Sequence, residues 1–266
     1  MRDPSCVWVF GGSQGIGRAV AGAYARRGAR IGLFARRLAP LEEAAKEIGT
    51  AHGATVQGWV ADVEDPLAVA HACDEAARAL GAPELVVNCA GRARPARFAE
   101  LTVDDLRATL RANLEGTWNV VQSALPHLEA GGGTIVNTAS LAGLIGVYGY
   151  SDYAASKFAV IGLSEVLRQE LAARGVDVRV LCPPDVDTPG FAEENRSKPP
   201  ETAAISETGA LLSPEQVAAE LLRGLRGRRF LLIPGRSARW LARAKRLAPG
   251  LVERIIAGQL RRHARR

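Results

Sequence analysis

Cys6-Val7-Trp8-Val9-Phe10-Gly11-Gly12-Ser13-Gln14-Gly15-Ile16-Gly17 decides how the rest of the chain reads. Cys6 to Phe10 is a short, continuous apolar run, of the kind a strand carries when both its faces are covered. Glycines follow at 11, 15 and 17. From Gly15 to Arg27, Ile16, Val20, Ala23 and Tyr24 recur at helical spacing. Strand, glycine turn and helix in that order bring backbone N–H groups and a helix N-terminus up to a phosphate. The spacing is not a P-loop, because no Gly-Lys-Ser/Thr follows, and it is not G-x-G-x-x-G. Its position after the first strand favours a nucleotide site over a plain flexible loop.

Outward from this unit the pattern alternates. Strands are expected at 30–35, 55–60, 84–88, 134–138, 177–182 and 230–233. Helices are expected at 38–51, 65–80, 102–111, 114–128 and 151–174, with another starting near Pro214. Pro66 suits a first helical turn. Strict alternation predicts an α/β fold, a doubly wound parallel sheet of Rossmann type with about seven strands. No linker divides the body, so the reading is one domain over 1–235 and a helical extension over 236–266.

Composition narrows the function. Hydrophobic residues make up 47% and charged residues 23%, enough to bury a full core. The four cysteines and four histidines are scattered, which argues against a metal site or a disulfide framework and fits a reducing cytosol. The N-terminus is polar and leads straight into the first strand, so neither a leader peptide nor a spanning helix is expected. The net charge of +6 is unevenly spread. From Arg223 to Arg266 there are 14 basic residues against one acid, Glu253, while the body is mildly acidic.

The second strand ends Phe34-Ala35-Arg36-Arg37. An acid there would serve the bare ribose of NAD, whereas arginines suit a 2′-phosphate. The cofactor expected is therefore NADPH. Asp62, after the third strand, is placed to accept from an adenine amino group. Asn88-Cys89-Ala90-Gly91 ends the fourth strand with small residues that let backbone pass close to a cofactor. Asn113 stands at an expected helix start, where an N-cap is the plain reading.

The chemistry centres on Ser140 and the run that ends Tyr153-Ala154-Ala155-Ser156-Lys157. Tyr153 and Lys157 are four apart and share a helix face. A cation beside a phenol is expected to lower its pKa and make Tyr153 a general acid near neutral pH. The Ser140 hydroxyl could bond a carbonyl oxygen as charge develops there. By itself the Tyr–Lys pair reads equally well as an ordinary helix pair.

Together, Gly11/Gly15/Gly17, Asn88-Cys89-Ala90-Gly91, Asn113, Ser140 and Tyr153-x-x-x-Lys157 resemble the short-chain dehydrogenase/reductase family over about residues 6–235. The resemblance implies an Asn113–Ser140–Tyr153–Lys157 tetrad. Tyr153 would protonate the carbonyl oxygen, Ser140 orient it, Lys157 lower the Tyr153 pKa and hold the nicotinamide ribose, and Asn113 fix a relaying water. It also implies cofactor contacts from Ser13, Gln14, Ile16, Val63, Asn88, Ala90, Gly91, Pro183, Val186 and Thr188, beside Arg36, Arg37 and Asp62. Phe10 and Cys89 depart from the family's more usual Thr and Asn.

The segment from Cys182 to Thr202, with Ile205-Ser206-Glu207-Thr208, is similar to the substrate loop of the 3-ketodihydrosphingosine reductases. That implies reduction of a long-chain 3-keto sphingoid base. Asp185, Asp187, Glu193 and Glu194 are candidate partners for its ammonium group, and Leu141, Leu144, Ile145, Val147, Tyr148, Phe191, Ile205, Leu211 and Leu212 for its alkyl chain. The alternative is another NADPH-dependent carbonyl reductase, with a 3-oxoacyl or steroid-like substrate. Long helices resembling the family's subunit contacts suggest a dimer or tetramer. The basic tail, with Trp240, Leu241, Leu247, Leu251, Ile255 and Leu260 and a break at Pro249-Gly250, suits an anionic membrane surface. No nucleic-acid motif accompanies it. The expected location is cytoplasmic, peripheral at the inner membrane face.

Overall fold

The computed structural model describes residues 3–207 and 209–263. Thr208 and the tail residues 264–266 lie outside the described residues. Among those described, seven strands form one sheet: β1 (Cys6–Phe10), β2 (Arg30–Ala35), β3 (Val56–Val60), β4 (Leu85–Asn88), β5 (Gly133–Thr138), β6 (Val176–Leu181) and β7 (Leu231–Leu232). Their order is β3-β2-β1-β4-β5-β6-β7 and every pairing is parallel.

Strand β1 explains why its sequence is apolar at every position. Val7 and Val9 face one layer, with Val20 and Tyr24 of α1 (Gly15–Ala25) and Leu41 of α2 (Leu38–His52). Trp8 and Phe10 face the other, with Val69 and Cys73 of α3 (Pro66–Leu80). Both faces are covered, so no position can be polar. Helix α3 starts where expected: Asp65 caps it, accepting from the N–H groups of Leu67 and Ala68, and Pro66 sits in the first turn.

The chain runs outward from β1 to β3, then crosses to β4 and builds the other half. The crevice outside the carboxyl ends of β1 and β4 is the place where this topology puts a ligand. Phe10 pairs with Asn88 there, so the first glycine turn lies against residues 88–91.

Helices α4 (Val103–Leu110) and α5 (Gly116–Glu129) are joined by a π turn over Arg111–Glu115 rather than by a break. Asn113 lies inside that turn. Helix α6 is Ser151–Ala172. The segment after β6 folds into α7 (Pro189–Ser197) and α8 (Pro200–Ser206), which the sequence reading left unassigned. Proline opens each helix, and Thr188 caps α7 by accepting from Phe191 N at 3.0 Å. Helix α9 (Pro214–Leu225) packs on α1.

The tail forms α10 (Arg236–Leu247) and α11 (Pro249–His263). Both fold back on the body. Arg239 donates to Glu220 at 2.6 Å and to Ile233 O at 3.1 Å, and α11 lies against α8. Lys245 joins the two helices through Glu253 at 2.6 Å.

Candidate active site

Ser140 follows β5, while Tyr153 and Lys157 lie one turn apart at the start of α6. The Lys157 ammonium is 5.7 Å from the centre of the Tyr153 ring. It donates to Thr138 O at 2.9 Å and is 4% exposed. Burial pushes its pKa down to about 8, while Cys89, Cys182 and Glu194 pull it upward. The Ser140 hydroxyl accepts from Ala142 N at 3.1 Å, which fixes its rotamer.

One electrostatic expectation is corrected. The Tyr153 pKa is raised, not lowered: burial is the largest cause, the Glu194 carboxylate adds to it, and the Ser140 hydroxyl opposes it. The Lys157 ammonium, 5.7 Å from the ring centre, does not outweigh that burial. The phenol therefore holds its proton at neutral pH, which suits a proton donor.

Asn113 is not an N-cap. It is fully buried, and both its donor hydrogens are used: Nδ2 donates to Arg92 O and to Ser156 Oγ, both at 2.9 Å, and Oδ1 accepts from Arg92 N at 2.8 Å. Ser156 Oγ in turn donates to Tyr153 O at 2.7 Å. The amide clamps residue 92 to the first turn of α6 and has no donor hydrogen left for a water. The Asn113 main-chain carbonyl accepts from Thr117 Oγ1 at 2.6 Å.

The glycines are where backbone must pass backbone. Gly11 has φ +73°, and a Cβ there would lie 2.8 Å from Ala90 N. A Cβ at Gly17 would lie 2.3 Å from Gly11 O. One at Gly91 would meet Asn113 Oδ1 at 2.9 Å and Lys157 Nζ at 3.4 Å. Ser13, Gln14 and Gly15 complete the turn, and the Thr188 methyl faces Gly15. Such a cradle, opening onto the N-terminus of α1, fits the pyrophosphate of a dinucleotide.

Arg37 donates to Gln14 Oε1 at 3.2 Å, and Arg36 is 4.0 Å from Asp62. Both guanidinium groups thus stand at the β2 end, where a 2′-phosphate would lie. Asp62 Oδ1 accepts from Glu64 N at 3.1 Å and leaves its other oxygen toward Arg36.

Several residues expected at the cofactor put their side chains elsewhere. Val63 and Val186 are in the two cores, and half-buried Ile16 packs on one of them. The Asn88 amide donates to Thr117 Oγ1 at 3.1 Å and accepts from Ala90 N at 3.3 Å, so it shapes the turn instead of reaching outward. Pro183 is buried, and its carbonyl holds Leu141 N at 2.8 Å. The Ala90 backbone lies against Gly11 of the turn. Of the proposed alkyl contacts, Leu144 packs against Val160 and Val180, Leu212 joins the core and Ile145 is 3% exposed. Leu141, Val147, Tyr148 and Phe191 remain half-buried near the site.

Two residues went unnoticed in the sequence. Tyr150 donates to Glu194 at 3.0 Å, and Lys198 stacks 3.9 Å over Phe191. The only sequence signal for them was the Thr-Pro and Pro-Pro helix starts that bring this loop inward.

Comparison with known proteins places this arrangement in context. The short chain dehydrogenase family model matches residues 5–199. The 3-ketodihydrosphingosine reductase of Mus musculus is 39% identical over 82% of this chain and 67% of its own length. The 3-dehydrosphinganine reductase of Danio rerio is also 39% identical, over 80% and 65%. The chain thus spans about two thirds of the length of these relatives. A D-threitol dehydrogenase of Mycolicibacterium smegmatis is 37% identical over 82% of the chain and 84% of its own length. Among solved structures, a Burkholderia phymatum short chain dehydrogenase/reductase in complex with NAD superposes with TM-score 0.83, at 26% identity over 94% of this chain and 95% of that one. A Thermococcus sibiricus alcohol dehydrogenase complexed with 5-hydroxy-NADP gives 0.76, also at 26% identity, over 86% and 95%. The chain belongs to the short-chain dehydrogenase family.

Proposed function

We propose that this protein reduces 3-ketosphinganine, a long-chain 2-amino ketone, to sphinganine with NADPH. The observation that carries the substrate is the similarity to the sphingoid-base reductases over four fifths of the chain. NADPH supplies the hydride when bound. Gly11, Gly15 and Gly17 admit its pyrophosphate, and Arg36 and Arg37 meet its 2′-phosphate. The 5-hydroxy-NADP complex of a structural relative supports the same cofactor class.

Tyr153, Ser140, Lys157 and Asn113 share the work. Tyr153 keeps its proton until the carbonyl oxygen gains electron density, then transfers it. Ser140, its rotamer held by Ala142 N, donates to the same oxygen and fixes its position. Lys157, as an ammonium, stabilises the phenolate left on Tyr153. Asn113 holds the first turn of α6 through Ser156 and so sets where Tyr153 stands. Half-buried Leu141, Val147, Tyr148 and Phe191 cover the start of the alkyl chain.

The extension over 236–266 serves a membrane surface in this reading. Trp240 is 68% and Leu247 84% exposed amid arginines, and no helix among the described residues is long and apolar enough to cross a membrane. A peripheral contact with anionic lipid would bring the catalytic unit, residues 1–235, to a lipid ketone. Exposed Trp118 on α5 and Phe158 and Val166 on α6 suit pairing of subunits.

The test is NADPH oxidation with 3-ketosphinganine, alongside a 3-oxoacyl substrate and oxidation of D-threitol. The reading expects the sphingoid ketone to be preferred and Tyr153→Phe to abolish turnover. Preference for D-threitol or the 3-oxoacyl chain would replace it with a general reductase reading.

A further inference from the structure

Of the four acids that the loop offers, Asp185 and Glu194 are half-buried, and Glu194 is the one bonded to Tyr150 beside Tyr153. Asp187 is exposed, and Glu193 is exposed and holds Arg196 at 2.6 Å. Glu194 turns inward from the same helix. The Tyr150 hydroxyl donates to its Oε2 at 3.0 Å, and the Tyr150 ring lies 5.5 Å from the Tyr153 ring, centre to centre. Oε1 accepts no hydrogen bond among the described residues. Burial raises the Glu194 carboxyl above its ordinary range, while the Tyr150 bond and the Lys198 ammonium hold it back. Lys198 is itself held over Phe191 and by Ser206 Oγ at 3.3 Å, and both Asp185 and Glu194 stabilise its charge. One ammonium therefore already stands in the field of Glu194 and Asp185.

We propose that Glu194 selects the 2-amino group of the substrate, its free oxygen accepting from the ammonium while Tyr153 reaches the neighbouring ketone oxygen. The inference rests on the reading of the substrate as a 2-amino ketone. Amine and ketone sit on adjacent carbons, so the acceptor for one must stand next to the donor for the other. Tyr150 links the two, its hydroxyl holding Glu194 and its ring lying against the Tyr153 ring. A carboxylate withdrawn from water attracts an ammonium more strongly than a solvated one, which separates Glu194 from Glu193. Lys198 offsets part of the Glu194 charge, and Asp185 adds attraction for the second cation.

The experiment compares kcat/KM of the full chain for 3-ketosphinganine and for its 2-deamino analogue, with NADPH. Wild type favours the amine. Glu194→Gln lowers the ratio of the two values by about tenfold or more, the loss of one charge-assisted contact, and Glu193→Gln keeps the wild-type ratio. NADPH fluorescence titration verifies that each variant folds. If the glutamine variant does not bind NADPH, Glu194→Asp takes its place and must lower the ratio by about threefold. A ratio unchanged in Glu194→Gln, or equal loss on both ketones, overturns the assignment while leaving the substrate intact. Wild-type protein that reduces neither the amine nor its analogue overturns the substrate reading and the assignment together.

Discussion

Lys157 donates a 2.9 Å hydrogen bond to the main-chain carbonyl of Thr138, the last residue of β5. The bond anchors an ammonium whose pKa burial lowers. With a pKa near 8, Lys157 is charged below that pH and neutral above it. Reduction needs the charged form, and Tyr153, whose pKa is raised, stays protonated across the same range. The kcat/KM for ketone reduction is therefore level at neutral pH and falls as pH rises through about 8. A profile still level at pH 10 would separate Lys157 from the charge that the reaction uses.

Arg36 and Arg37 should set the cofactor. Replacing both by Ser removes two charge-assisted bonds to a 2′-phosphate. Each is worth about 1.5–3 kcal/mol, so the preference for NADPH over NADH should fall by about 100-fold or more. Steady-state kinetics with the two cofactors measure it, and an unchanged preference would move the phosphate site elsewhere.

Asn113→Ala should act on stability as well as rate. Its amide makes three hydrogen bonds in a fully buried site. Truncation leaves Arg92 N–H and a carbonyl unsatisfied, at about 2–3 kcal/mol. Thermal melting should show the loss, and kcat should fall more than KM rises, because Tyr153 is held through Ser156. A variant with wild-type melting would contradict the clamp.

Liposomes test the tail. Binding to anionic vesicles should weaken steeply with salt, because it draws on arginine charge. Trp240→Ala together with Leu247→Ala should reduce binding at fixed salt without altering turnover of a soluble ketone. Equal binding to neutral vesicles would argue for an apolar contact alone.

The elements and their order were legible in the sequence because covered strands must be apolar at every position, as β1 is. Helix α3 was legible from Asp65-Pro66, because caps act over a few residues. The Tyr153–Lys157 pair, the glycine cradle and the arginines at the β2 end were legible for the same reason: each depends on spacing within a single element. The directions of Val63, Val186 and Asn88, and the amide clamp of Asn113, were not. Each depends on what a distant element presents, and the π turn at Arg111–Glu115 reads as ordinary helix in sequence. Glu193 and Glu194 are adjacent and chemically alike, yet one meets Arg196 at the surface and the other Tyr150 beside the active site. Local periodicity and spacing were enough to fix the sheet, the glycine cradle and the one-turn separation of Tyr153 and Lys157. Tertiary packing alone decided which carboxylate was drawn partly out of water and which way the phenol's pKa moved, because desolvation is summed over neighbours far apart in the chain.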